Sequence, residues 1–326
     1  MKAYFFVITP LNYLYALQAS LDDRFAFEEK HLIVLSDYNR SLKQFNNIID
    51  EKQWTSIQFP LVGSNKNAKS KVKSFLFEIY NKIFFLLLFK KITKSNSTLF
   101  WGNYNHKYSK YLKKYKNQIF FLDDGFSTIN ILRKLEQQDS SIDQNFKLSF
   151  YTTFNFHSTK IDIQKHQLES ISKNNYEPFL TNCIYFLGQP LVFNNVISEK
   201  NYINSIDNIF NFYSIKGMKC YYLAHRSTNR DYIPKNWNVL NLNFPVEFLH
   251  LIESNKTPNS FITFYSTGVF NLKHIHKLNH QQYEFWELPS DWINPEYRTD
   301  IEAVYYYLKS NDFLVKNLLE INTKND

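Results

Sequence analysis

Short apolar runs recur along the chain, and most of them end in a polar residue or a turn former. In the first half, the runs that predict buried strands are 3–8, 31–37, 55–62, 98–103, 118–125 and 147–154. Apolar residues at helical spacing occupy 11–21, 71–92 and 106–115. Because strands alternate with helices, the pattern predicts a parallel, doubly wound sheet.

The same pattern starts again in the second half, where strands are predicted at 183–191, 219–226, 237–245, 259–268 and 283–289. A chain of 326 residues is long for a single core. We therefore predict two Rossmann-like α/β domains, 1–165 and 166–326, facing a central cleft, with the last helix packing back on the first domain. Ligands of such sheets bind beyond the carboxyl ends of the strands, so polar motifs at strand ends are the candidates for function.

The composition limits the class of protein. The net charge is +8, which fits an acidic substrate, an anionic membrane surface or nucleic acid. The mean hydropathy of -0.41 argues against a polytopic membrane protein. Pro10 and Asn12 interrupt the N-terminal apolar run, so we expect no export signal and a cytoplasmic location. The two cysteines, Cys183 and Cys220, make neither a disulfide framework nor a metal cluster.

One lysine-rich segment, 69–94, carries an apolar run at 83–89. The run is too short to cross a bilayer, which needs about 20 apolar residues. One interpretation is a buried helix of the first domain. The other is a helix on the anionic cytoplasmic face of the inner membrane, with its lysines near the headgroups. Those lysines are Lys82, Lys90, Lys91 and Lys94.

Two adjacent acids, Asp123 and Asp124, stand near the end of the run 118–125, directly before Gly125. Glycine permits a tight turn with positive φ. A carboxylate at this position could accept a proton from a sugar hydroxyl. An ordinary turn in which aspartate caps the next helix explains the same residues.

In the second half, His225 and Arg226 stand at the end of a strand, and both can donate to phosphate oxygens. Glu247 follows Pro245 at the start of a helix and could accept both hydroxyls of a ribose. The alternatives are a histidine satisfied by its neighbours and a glutamate that interacts with the helix dipole.

Two further motifs also follow strands. Ser266 and Thr267 open a predicted helix, whose hydroxyls and free N–H groups could bind phosphate or merely cap the helix. Gly188 and Gln189 form a turn whose amide could contact a pyrimidine edge, or which could be a plain loop. The order of the motifs suits an enzyme with a base in one domain and a nucleotide site in the other.

The sequence resembles the bacterial sialyltransferases of glycosyltransferase family 52, the lipooligosaccharide sialyltransferase group. The matching segments follow the family's order over nearly the whole chain and are 8–17, 121–127, 186–191, 222–226, 244–248 and 264–270. The resemblance implies a GT-B fold and an inverting transfer of sialic acid from a CMP donor. It also implies no metal and no other cofactor.

The resemblance further implies a role for each motif. Asp123 would be the general base, with Asp124, Gly125 and Arg226 in support. His225 would contact the CMP phosphate and help the leaving group to depart. The donor would be bound by Gly188, Gln189, Glu247, Ser266 and Thr267. Thr9, Pro10 and Asn12 would line the cleft from the first domain.

Three alternatives remain open. The same fold could use another donor, such as CMP-Kdo, CMP-pseudaminate or a UDP-hexose, and the acceptor could be lipooligosaccharide or capsule. The Tyr- and Lys-rich stretch 104–116 could bind nucleic acid through stacking and phosphate contacts, although a solvated helix face is the preferred interpretation and we expect no nucleic-acid partner. An inactive relative is disfavoured because Asp123, His225 and Glu247 are all present.

Overall fold

The computed structural model describes most of the chain. The described residues are 1–35, 39–60, 71–115, 117–137, 148–172, 180–225, 229–253, 257–276 and 281–324. The chain divides into two compact units, Met1–Ile171 and Ser172–Asp326. Residues 166–171 belong to the first unit, since the His166 ring stacks on Tyr151 and the Gln18 amide donates to Ser170 Oγ.

The first unit is built on a seven-stranded sheet in which every pair of neighbouring strands is parallel. The strands are β1 (Lys2–Val7), β2 (Glu29–Val34), β3 (Ser56–Gln58), β4 (Ser97–Trp101), β5 (Ile119–Leu122), β6 (Ser149–Thr152) and β7 (Asp162–Lys165). Their order is β3-β2-β1-β4-β5-β6-β7, so the direction of winding reverses between β1 and β4. This reversal is the topological switch point of a Rossmann-like sheet.

Helices of the first unit cover both faces of the sheet. They are α1 (Pro10–Leu21), α2 (Asn39–Ile48), α3 (Lys71–Thr93) and α4 (Ser127–Gln137). On one face, Phe6 of β1 stacks on Phe89 of α3. On the other face, Phe5 contacts Trp54, which in turn contacts Tyr13 of α1. Successive side chains of β1 therefore point into two separate aromatic layers, as the pleat requires.

The second unit repeats the design with a six-stranded parallel sheet. Its strands are β8 (Leu180–Leu187), β9 (Lys219–Leu223), β10 (Asn238–Leu240), β11 (Pro258–Thr263), β12 (Gln282–Glu287) and β13 (Leu314–Asn317). Its helices are α5 (Glu199–Ser214), α6 (Leu249–Ile252), α7 (Thr267–His276) and α8 (Pro295–Ser310). The strand order β10-β9-β8-β11-β12-β13 places the switch point between β8 and β11.

Helices again lie on both faces of the second sheet. Tyr202 of α5 contacts Phe264, while His276 of α7 contacts Phe261 on the opposite face. The last α-helix, α8, packs on this sheet, because the Tyr305 hydroxyl donates to the Trp286 carbonyl. The two cysteines, Cys183 on β8 and Cys220 on β9, are free thiols buried within the sheet.

The predicted fold class, two Rossmann-like doubly wound α/β domains, is confirmed by these strand orders. The helix predicted at 106–115 is wrong in type, since the segment forms a short 3-10 helix, Ser109–Lys114, after an irregular turn. Tyr108 and Tyr115 in this stretch are buried in the core. Rings held in the core cannot stack on bases, which removes part of the support for nucleic-acid binding.

Candidate functional site

The first polar residue after β5 is Asp123, whose side chain is completely buried. Its Oδ2 accepts hydrogen bonds from the Thr153 backbone N–H at 2.8 Å and from the Thr153 hydroxyl at 2.9 Å. Its Oδ1 has no hydrogen-bond partner among the described residues. Thr153 follows β6 directly, so the bond joins the carboxyl ends of two neighbouring strands.

Burial makes the ionised form of this carboxyl costly. Loss of solvent raises the pKa of Asp123 to about 7, and the nearby negative charge of Asp124 adds to the rise. Thr152 and Thr153 oppose the shift, because their donors favour the carboxylate. Asp123 therefore changes its charge near neutral pH, where a group that takes up and releases protons is most effective.

The second acid, Asp124, is only half-buried and contacts two side-chain amides. Its Oδ2 accepts from Asn103 Nδ2 at 2.5 Å, and its Oδ1 lies 3.5 Å from Asn12 Nδ2. Asn103 follows β4, while Asn12 lies in the first turn of α1. Asp124 therefore faces the switch point between β1 and β4, where ligands of such sheets bind.

Gly125 forms the turn after the acid pair, with φ of +67°. This left-handed conformation favours glycine. The turn is closed by the Asp124 N–H, which donates to Thr128 Oγ1 at 2.9 Å. Because α4 begins at Ser127, neither acid is the residue directly before the helix. Both carboxylates instead bind groups that follow other strands.

Thr9, Pro10 and Asn12 form the start of α1. The Thr9 hydroxyl and the Asn12 side chain each accept from the other's backbone N–H at 3.2 Å, which is a capping box with Pro10 in the first turn. The buried Asn12 amide also donates to the Asp123 carbonyl at 2.9 Å. A Cβ atom on Gly102 would lie 2.9 Å from Asn12 Cγ, so this approach requires glycine.

Sequence reasoning missed three residues of this cluster, namely Gly102, Asn103 and Thr153. Gly102 and Asn103 follow β4, and Thr153 follows β6. The apolar runs 98–103 and 147–154 predict these two strands but do not by themselves mark the residues at their ends as functional. Each of the three follows a strand within two residues, so the residues that end every apolar run are the signal that would locate them.

In the second unit, Gln189 joins the two strands at the switch point. Its Oε1 accepts from the Thr263 hydroxyl at 3.1 Å and from the Tyr265 N–H at 3.0 Å. Its Nε2 has no hydrogen-bond partner among the described residues and remains a donor. Gly188 is required for this path of the chain, because a Cβ atom there would overlap the Tyr222 ring.

The start of α7 brings two more predicted residues together. Ser266 Oγ accepts from the Gly268 N–H at 3.2 Å, and Thr267 is the first residue of the helix. Glu247 is buried, and its Oε1 accepts from Nδ2 of Asn271 on α7 at 3.1 Å. Burial raises the pKa of Glu247. Glu247 is thus anchored to the same helix whose N-terminus Ser266 caps.

His225 is half-buried and lies just beyond β9, the strand that neighbours β8. It therefore occupies the same carboxyl edge as Gln189 and Ser266. Arg226, the other cation predicted here, lies outside the described residues.

A cavity of about 620 Å³ lies at the opposite, amino-terminal edge of the second sheet. It is lined by residues around the starts of β12 and β13, including Lys216, Lys273, Gln282 and Leu314. No residue of the predicted site lines it. In the described ranges, no group of three or more His, Cys, Asp or Glu side chains is placed to hold a metal ion.

No protein-family model and no curated protein matches the chain. Among solved structures, the chain is similar to MurG of Acinetobacter baumannii, with 11% identity, a TM-score of 0.47 and coverage of 98% of this chain and 86% of that one. It is also similar to a UDP-GlcNAc 2-epimerase of Methanocaldococcus jannaschii, with 13% identity, a TM-score of 0.46 and coverage of 95% and 92%. Similarity this low carries no argument about activity, so the fold assignment rests on the strand orders.

Proposed function

We propose that the protein is an inverting glycosyltransferase that moves sialic acid or a related nonulosonic acid from a CMP donor to a hydroxyl of a bacterial surface glycan. The supporting observation is that both Rossmann-like domains carry their predicted polar residues at the carboxyl edge of the sheet, beside the switch point. Two such domains in tandem are the domain composition of GT-B glycosyltransferases. The sequence resemblance supplies the reaction type.

The acid pair would supply the general base. A single displacement by the acceptor hydroxyl needs one group to take its proton, and that displacement inverts the anomeric centre. The resemblance assigns this role to Asp123, whose pKa of about 7 suits proton uptake. Its complete burial, however, leaves Asp124 as the acid that an acceptor could reach without rearrangement. Separate variants of the two acids distinguish these roles.

The second domain would bind the donor. As CMP departs, its phosphate gains negative charge, and donors already in place stabilise that charge. The N-terminus of α7, with Ser266 and Thr267, offers such donors, and His225 lies at the same edge of the sheet. Because CMP carries one phosphate, we propose that these groups suffice without a metal. Glu247 would accept the ribose hydroxyls.

Gln189 would contact the base of the nucleotide. The free Gln189 Nε2 can donate to a carbonyl oxygen such as O2 of a pyrimidine. Cytosine and uracil both present that oxygen, so this contact favours a pyrimidine but does not choose between CMP and UDP. A UDP-hexose donor is therefore the main alternative, and binding of CMP against UDP separates the two.

The first test measures CMP release from CMP-sialic acid with a galactose-terminated acceptor in the presence of EDTA. We expect acceptor-dependent release by the wild type and a loss of about a hundredfold or more when the base is replaced, as Asp123→Asn or Asp124→Asn. Whichever variant suffers this loss identifies the base. If neither loses activity, the acid pair is not the base.

A matched pair of serines tests the donor site. Ser266 and Ser198 both cap helices, α7 and α5, but only Ser266 lies at the proposed phosphate site. Ser266→Ala should raise KM for the donor, whereas Ser198→Ala should leave KM unchanged.

If UDP raises the melting temperature and CMP does not, the CMP donor is wrong. Retention on immobilised DNA at physiological ionic strength that weakens as salt is added would instead favour a nucleic-acid-binding protein.

A further inference from the structure

Helix α3 has an apolar surface that faces solvent. Ile83 is 52% exposed and Leu87 is 64% exposed, and Ile79 and Leu86 beside them are also exposed. At 100° per residue, these four side chains fall on one side of the helix. Exposed apolar patches of this kind mark an interaction surface.

The opposite side of α3 is packed into the first domain. Phe85, Phe89 and Ile92 are buried in the hydrophobic core. Phe85 packs on Tyr108 with ring centroids 4.4 Å apart. The helix is thus apolar on both its inward and its outward sides, a distribution expected of a helix that is covered all round.

Lysines complete the outward surface. Lys90 continues the line of Ile83 and Leu87 along the helix, and Lys94 directly follows its last residue, Thr93. Lys82 and Lys91 flank this line. All four lysines are exposed, and residues 79–94 contain no Asp or Glu. An apolar strip with cations at its end and sides complements a surface that is apolar below and anionic above.

We propose that this surface, defined by Ile79, Ile83, Leu86 and Leu87 with the four lysines, lies on an anionic lipid bilayer. The helix would lie parallel to the membrane plane, with the aliphatic side chains at the acyl boundary and the ammonium groups at the lipid phosphates. In the part of the chain that the structure describes, no helix is long and apolar enough to cross a membrane. The bilayer contact is therefore interfacial.

Charge argues against a second copy of the chain as the occupant. A two-fold interface places the same surface on both partners. If the outward sides of two α3 helices met, Lys82, Lys90 and Lys94 of one copy would approach lysines of the other. Like charges at an interface disfavour association, whereas anionic lipid neutralises them.

The test is co-sedimentation of the full chain with vesicles of phosphatidylcholine alone or of phosphatidylcholine with phosphatidylglycerol. We expect binding only to the anionic vesicles, weakened by salt. The double variant Ile83→Gln/Leu87→Gln should lose at least about tenfold in partitioning, because it removes the inserted apolar groups. Lys90→Gln/Lys94→Gln should lose about fivefold for each lysine removed.

Matched controls come from the second domain. Ile215 is 76% exposed and Tyr306 is 75% exposed, so Ile215→Gln/Tyr306→Gln removes comparable apolar surface elsewhere and should bind vesicles as the wild type does. Lys200→Gln/Lys235→Gln should reduce binding by less than Lys90→Gln/Lys94→Gln. Melting temperatures should be unchanged in all four variants, since the replaced side chains are exposed.

Three results would overturn the proposal. The wild type could ignore anionic vesicles, the apolar double variant could partition like its control, or the wild type could sediment as a dimer that this variant converts to monomer. The last result would assign the surface to a second copy. The vesicle assay involves no turnover, so the inference does not depend on the proposed reaction. CMP release with a soluble acceptor should be the same for Ile83→Gln/Leu87→Gln and the wild type.

Discussion

The two domains share the order of their first six strands but place different chemistry at the same edge of the sheet. Beyond the first sheet stand two carboxylates, one buried against Thr153 and the other held by two asparagine amides. Beyond the second stand a glutamine, a capped helix N-terminus and a histidine. The first edge is therefore suited to accepting a proton and the second to binding an anion. The scaffold decides where polar groups can be presented, and the residues at the strand ends decide what those groups do.

The largest effect that would sharpen this contrast concerns the charge of Asp123. Its pKa of about 7 in the folded state lies above the unfolded value of about 3.9, so the folded protein holds this proton longer. The wild type should lose stability as the pH rises from about 4 to about 7, and the loss should be complete above that range. A rise of about three pKa units corresponds to a loss of at most about 4 kcal/mol in the free energy of unfolding.

The check is thermal unfolding of the wild type and of Asp123→Asn between pH 5 and 8. The asparagine carries no charge and can still accept from Thr153, so the variant should become the more stable of the two as the pH rises. Unfolding curves that stay parallel across this range would show that Asp123 is not perturbed by burial.

The next effect concerns the carboxyl edge of the second sheet and needs only one added methyl group. Gly188→Ala places a Cβ atom against the buried Tyr222 ring, whose hydroxyl is already bonded to Tyr202 at 2.5 Å. The ring cannot move away easily, so we expect a loss of about 1–3 kcal/mol in unfolding free energy. Gly217→Asn is the control, because its Cβ meets open space and asparagine tolerates φ of +74°. Equal losses in denaturant titrations would contradict the steric argument.

The smallest effect compares two helix starts. Asn12→Ala removes an acceptor for the Thr9 N–H and the donor to the buried Asp123 carbonyl, and should cost about 2 kcal/mol. Ser198→Ala removes only the cap of α5 and should cost about 1 kcal/mol. Chemical denaturation of both variants measures the difference. A cost for Asn12→Ala no greater than that for Ser198→Ala would mean that the link between α1 and the acid turn is unimportant.

Much of the fold could be predicted because buried parallel strands are apolar runs that end in turn formers. The edge strands β7 and β13 could not, since Asp162–Lys165 and Leu314–Asn317 are short and partly polar. The acid pair was visible as a motif. The burial of Asp123 was not, because it depends on Thr153, which reaches the site only once β6 is known to pair with β5. Likewise, no local pattern in the stretch 104–116 indicates that tyrosines such as Tyr108 and Tyr115 are buried in the core.

The two buried thiols of the second sheet, Cys183 and Cys220, can be used to detect when that domain opens. Burial raises the pKa of both Cys183 and Cys220 to about 11, so in the closed domain they are neither accessible nor ionised at neutral pH. The first domain has no cysteine. The rate at which a thiol reagent labels the protein therefore measures how often the second domain opens. Slower labelling in the presence of CMP would report donor binding without any acceptor or turnover.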